Sequence, residues 1–111
     1  MAAANVKLQK LDLNKGLTLA APVALDQTSG ALVEFNGQDT KTIIILSGTG
    51  TATIKAGDGI QAVNDLQVTA SEHGTAVELE SGGFKITTGA NKGKVLITGV
   101  NTIKVQAVLL V

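Results

Sequence analysis

The stretch Ile43-Ile44-Ile45-Leu46 decides the fold class of this chain. Alternate side chains of a strand point to opposite faces, so a strand built from this run is apolar on both. It fits a central strand covered on both sides, or a strand whose outer face meets another chain. Immediately upstream, residues 31–35 read as a short strand that breaks at Asn36-Gly37, a pair that tolerates positive φ and favours tight reversal. Immediately downstream, residues 47–53 are rich in Gly and Thr, with Gly48 and Gly50 two positions apart, and they read as a turn.

Further out the apolar period stays at two. Val6, Leu8, Leu11 and Leu13 make a first strand with a slip at Lys10 that a bulge absorbs. Asn14-Lys15-Gly16 is a turn signal, and Leu17-Thr18-Leu19 leads to Pro22, which suits an edge or the start of a strand. Asp26-Gln27-Thr28-Ser29-Gly30 forms a polar loop. After the Gly57-Asp58-Gly59 turn, Ile60, Val63, Leu66 and Val68 leave room for one helical turn around residues 62–65, against the preference of Asn64 and Asp65. Val77 and Leu79 alternate with Glu78 and Glu80. Phe84-Lys85-Ile86 and Val95-Leu96-Ile97 bracket a loop, and Ile103, Val105, Ala107, Leu109 and Val111 alternate cleanly before Val108 and Leu110 make the final stretch apolar throughout.

About eight short strands with turn signals roughly every 8 to 12 residues predict an all-β, single-domain β-sandwich or jelly roll. A short flexible N-terminal arm, residues 1–5, precedes a single β domain, residues 6–111. Its core is aliphatic, with Phe35 and Phe84 as the only large rings. Such a core buries less area per residue than an aromatic one, so association with other molecules is expected to add stability.

Composition narrows the function. The 111 residues include no Cys, Trp, Tyr or Arg and one His, while 44% are hydrophobic and 16% charged. Nine Lys balance nine Asp and Glu, so no net field draws the chain to phosphate or to an anionic membrane. Without Arg, and with two aromatic rings, the usual footprint of nucleic-acid binding is missing. Thiolate metal sites and disulfides are excluded by the lack of Cys. Residues 1–4 are followed at once by Lys7, Gln9 and Lys10, which interrupts any apolar signal core, and no run approaches the ~20 apolar residues of a membrane span. The expectation is a soluble protein made in the cytoplasm, with no membrane, nucleic-acid or small-molecule partner.

The chemistry-bearing motifs have simpler structural readings. Gly89-Ala90-Asn91-Lys92-Gly93-Lys94-Val95 is one residue short of a phosphate-binding loop and carries Val95 where Mg²⁺ needs Ser or Thr. It also leads into a strand, so it reads as a hairpin loop. Gly48-Thr49-Gly50 lacks the third glycine and the βαβ setting of a dinucleotide site. His73 stands in a polar stretch with no second His or Cys, and reads as a solvated loop residue. Glu78 and Glu80 share a strand face in the manner of a carboxylate pair, yet no Trp or Tyr is present to stack a sugar. No acid, base and nucleophile constellation emerges, so neither catalytic residues, a cofactor nor a metal is assigned and no enzyme is expected.

Three segments carry a family resemblance. Gly57-Asp58-Gly59-Ile60-Gln61-Ala62-Val63-Asn64-Asp65-Leu66, then Leu79-Glu80-Ser81-Gly82-Gly83-Phe84-Lys85, then Asn91-Lys92-Gly93-Lys94-Val95-Leu96-Ile97-Thr98-Gly99, resemble small virion proteins of tailed bacteriophages that decorate or cement the capsid shell. The resemblance covers about half the chain and rests on turn glycines and strand edges. It implies a β-sandwich or jelly-roll subunit on the outer surface of the virion. There it would staple neighbouring subunits of the major capsid protein lattice, often as a dimer or trimer.

Pattern alone selects the contact candidates. Ala2, Ala3, Ala4, Asn5, Val6 and Leu8 form an arm that can add to a neighbouring sheet edge, with a frayed tail as the competing reading. Ala107, Leu109 and Val111 lie on the terminal strand, where ordinary core burial competes. A β module of a phage tail or fibre, or of a bacterial surface adhesin, is the alternative function.

Overall fold

A computed structural model describes residues 3–35, 41–57, 64–79, 84–87, 89 and 92–110. The isoleucine run lies in a strand spanning Thr42–Gly48, flanked on one side by Ile103–Leu110 and on the other by Thr75–Glu78, both antiparallel to it. Ile44 and Leu46 point inward and are fully buried, whereas Ile43 and Ile45 are half-buried on the outer face. The run is thus a central strand, and the alternation its chemistry hides is visible in its burial.

Ten strands form two sheets packed face to face. They are β1 (Ala4–Val6), β2 (Leu8–Leu11), β3 (Val23–Ala24), β4 (Ala31–Glu34), β5 (Thr42–Gly48), β6 (Thr51–Ile54), β7 (Leu66–Thr69), β8 (Thr75–Glu78), β9 (Lys94–Thr98) and β10 (Ile103–Leu110). The first sheet runs β1-β4-β9-β6-β7 and the second β2-β10-β5-β8, with β3 also paired to β10. No α-helix occurs among the described residues. From β3 onward the chain alternates between sheets, except for the β6-β7 hairpin, so that β3-β10-β5-β8 faces β4-β9-β6-β7, the double Greek-key order of a jelly roll. The all-β sandwich expected from the alternating pattern is therefore present.

The core is aliphatic, as the composition requires. Val6, Leu25, Val33, Ile44, Leu46, Ile54, Val95, Ile97, Ile103 and Val105 are buried together, Phe35 is buried among them, and Phe84 packs against the cluster. Each fully buried Val, Leu or Ile contributes roughly 1.5–3 kcal/mol of transfer free energy, an upper bound because the unfolded chain is already partly compact.

The N-terminus departs from expectation. Residues 4–6 do not form a free arm: β1 pairs in parallel with β4, Ala4 opposite Ala31 and Val6 opposite Val33, and the Ala4 N–H donates to the Gly30 carbonyl at 3.0 Å. Val6 is 2% exposed, so docking the segment removes an apolar side chain from water and satisfies backbone groups at once. The boundary expected between residues 5 and 6 falls inside β1. The expected bulge at Lys10 is absent as well. The chain instead changes sheets at Lys7, since Val6 pairs in the first sheet and Leu8 pairs with Ala107 in the second. Val6 and Leu8 both reach the core from opposite layers, and Leu11 breaks the apparent period because it lies in the outward register, opposite Leu110.

The turns are legible in local chemistry. Asn14 takes φ 58° in the turn after β2, and Pro22 stands directly before β3. The Asp26 carboxylate accepts the N–H groups of Thr28 (3.1 Å) and Ser29 (2.7 Å), while Asp26 and Gly30 exchange backbone bonds, closing the 26–30 loop. Gly48 takes φ 105° where β5 leaves its sheet, and a Cβ there would strike the Thr102 carbonyl oxygen. The Asn36-Gly37 reversal lies outside the described residues, as do residues 62 and 63 of the expected helical turn; Asn64 and Asp65 are not helical.

Asp65 ties β6 to β7. Its carboxylate accepts the Ala56 N–H at 2.7 Å and the Lys55 Nζ at 2.8 Å. The backbone bond from Ala56, then the bond from Lys55, hold its carboxyl below the ordinary value of 3.8. A depressed folded pKa stabilises the fold above the unfolded value, and that contribution is lost as pH falls through the folded one. The expected result is that Asp65→Asn melts slightly below wild type at pH 7 and that the gap closes on acidification below pH 3.8, read as paired thermal melts across pH. A gap that stays constant down to pH 2 would count against the ionic contribution.

Candidate assembly surfaces

The residues with catalytic potential stand apart from one another. His73 and Glu72 are exposed in the turn between Ser71 and Thr75, and Glu78 is exposed on β8. Glu80, its expected companion, lies outside the described residues. No group of three His, Asp or Glu able to hold a metal occurs among the described residues, and no helix there is long and apolar enough to cross a membrane. Of the Gly89 to Val95 stretch, Ala90 and Asn91 lie outside the described residues; at its base the Ile86 N–H donates to the Lys94 carbonyl (2.9 Å) and the Gly93 N–H to the Ile86 carbonyl (2.7 Å). It enters β9, so no helix N-terminus faces it.

The contact residues chosen from pattern divide sharply. Ala2 and Val111 lie outside the described residues. Ala3, Ala4 and Leu8 are half-buried and Asn5 is exposed, but Val6 belongs to the core. Ala107 is 0% exposed and Leu109 half-buried. β10 is flanked by β5 along one side and by β2 and β3 along the other, so the terminal strand has no free edge over this span. For Val6 and Ala107 the expectation of partner contact is corrected: their side chains are spent on the protein's own core, because apolar residues at these registers face the opposite sheet.

Two other surfaces are open. The first is the outer face of the second sheet, where the register brings Leu11, Leu110, Val108, Ile43, Ile45 and Ala76 to one side. Val108 is only 7% exposed although it lies outside the core cluster, a sign of how closely these outer apolar side chains adjoin. The second is the segment 12–22, which leaves β2 and returns to β3. Leu13 is 75% exposed and Leu19 49% exposed. Leu13 and Asn14 form a turn at the start of this segment. Its anchor is the Ala20 N–H to Gln9 Oε1 bond (2.7 Å), backed by Gln9 Nε2 to Gln106 Oε1 (3.3 Å). Nearby, Lys7, Glu34, Phe35, Lys92 and Lys94 line an open surface hollow of about 480 Å³.

Sequence reasoning passed over the 12–22 leucines because Leu13 continued the first strand's apparent period. The available signal was the placement of Leu13 and Leu17 on either side of a turn tripeptide, where apolar residues gain nothing from a turn. No family model matches this chain, and no curated protein or solved structure does either. The case for function therefore rests on these surfaces and on the residue patterns quoted above.

Proposed function

We propose that this protein is a non-enzymatic structural virion protein that decorates and cements a bacteriophage capsid by bridging neighbouring major capsid protein subunits. The observation that carries the reading is an aliphatic jelly roll that leaves Leu13 and Leu19 of segment 12–22 exposed and has a partly buried apolar outer face on its second sheet. The three quoted segments that resemble phage decoration proteins supply the identity of the partner. Leucines held in water favour docking into another protein, where their apolar side chains are covered.

Cementing is multivalent. A subunit that has bound one shell protein meets the next at high effective concentration, so weak individual contacts combine into strong retention. The test is co-sedimentation of the purified protein with expanded capsids and with precursor shells. Binding that saturates at a fixed ratio to the shell protein, and that His73→Ala reproduces, is the expected result. Failure to bind any capsid lattice, with attachment to tails or glycans instead, would overturn the proposal.

A further inference from the structure

The two outer strands of the second sheet carry opposite charge. At one edge, residues 7–22 around β2 present Lys7, Lys10 and Lys15, all exposed, against one acid, Asp12. At the other, residues 71–79 around β8 present exposed Glu72 and Glu78 and contain no Lys, with exposed Lys41 just ahead of β5, the strand they flank. With β10 and β5 between them, β2 and β8 lie three strand spacings apart, about 14 Å. That exceeds the Debye length of about 8 Å at physiological salt, so the two edges act as separate poles in a protein of zero net charge.

Backbone and apolar groups match the charges. Among the described residues neither β2 nor β8 has a further strand beyond it, and each is four residues long. β2 runs parallel to β10, β5 runs against β10 and β8 runs against β5, so β2 and β8 point the same way at opposite edges. The basic edge bears exposed Leu13 and Leu19, while the acidic edge adjoins Ile43, Ile45 and Ala76 on the outer face. Ile45 lies over Gly74, whose missing side chain keeps that corner low.

We infer that a second copy of this chain seats its acidic 71–79 edge on the basic 7–22 edge of the first, in a head-to-tail contact. Like edges repel: a two-fold pairing of β2 with β2 sets lysines against lysines, and β8 with β8 sets glutamates against glutamates. Only the unlike pairing joins opposite charges, and it is heterologous, so it closes into a ring or continues as a filament. Leu13 and Leu19 of one copy then cover Ile43, Ile45 and Ala76 of the next. This names the self-contact within the assembly proposed above, yet it is a property of the chain alone.

The test is sedimentation velocity in the absence of capsids, across protein and salt concentration, with thermal melts to verify folding. Wild type is expected to associate, more weakly as salt rises. Lys10→Glu and Glu78→Lys, both at exposed sites, are each expected to weaken association at least ten-fold. An equimolar mixture of the two is expected to regain it, because the intact acidic edge of one variant meets the intact basic edge of the other. A wild type that stays monomeric at millimolar concentration overturns the inference, as does a folded variant pair whose mixture associates no better than its components. A monomer that still saturates capsids would sink this contact alone, whereas an oligomer that binds no shell would sink the decoration reading alone.

Discussion

Removal of residues 107–111 is expected to abolish folding. This half of β10 holds β2 through four register pairs, Leu8 to Leu11, and carries the Ala107, Val108 and Leu109 pairings to β5. Ala107 and Val108 are buried, and the truncation also strips β2 of its only strand partner among the described residues. Loss of Val108, Leu109 and Leu110 burial alone costs about 5 kcal/mol, and the ladder bonds add to it, against a typical domain stability of ~5–15 kcal/mol. The measurement is circular dichroism with a thermal melt: no cooperative transition is expected. A truncated protein that melts like wild type, while losing shell binding, would restore the terminal strand to the role of a partner segment.

The second large effect is expected from Gly48→Ala. At φ 105° an L side chain is strained, and here the new Cβ also meets the Thr102 carbonyl oxygen, a backbone atom that moves only if the start of β10 moves with it. Strain of ~1–3 kcal/mol and overpacking of ~1–3 kcal/mol combine to about 3 kcal/mol or more. For a chain of this size that lowers Tm by roughly 10–20 °C. Gly89→Ala is the control, since Gly89 also has positive φ, 81°, but nothing within 4 Å of its added Cβ. It should lose only the conformational part, about 1 kcal/mol. If the two variants melt together, the close packing of the β5 exit against residue Thr102 is not what makes Gly48 necessary.

These two sites show where sequence is informative and where it is not. Gly48 was visible as a turn glycine between apolar runs, but its steric neighbour lies 54 residues along the chain, at Thr102. The alternating pattern of residues 103–111 foretold a strand, and both of its competing roles, contact and core, were consistent with that pattern. Only the register decided between them, by placing β5 on one side and β2 and β3 on the other. The same holds for the N-terminus. Val6 and Leu8 read as successive residues of one strand because a sheet switch at Lys7 preserves the apolar spacing while changing the partner.

The candidate surfaces were less legible than the fold. Leu13 and Leu19 are apolar letters like those of the core, and their exposure follows from where segment 12–22 runs once β2 and β3 have both claimed β10. The opposite charges of the two sheet edges were equally hidden. Lys10 and Glu78 belong to a balanced composition in one dimension, and become poles only when β10 and β5 are inserted between them.

What the sequence by itself determined is the class of structure and the poverty of chemistry. Period-two patterning with β-branched residues points to strands that pack as a sandwich, jelly roll or small barrel, and no catalytic constellation is legible in a chain without Cys, Trp, Tyr or Arg. What only the tertiary structure decided is which apolar residues are spent inside and which are left exposed. That choice rests on strand pairing between residues far apart in the chain, whose register a local pattern does not encode.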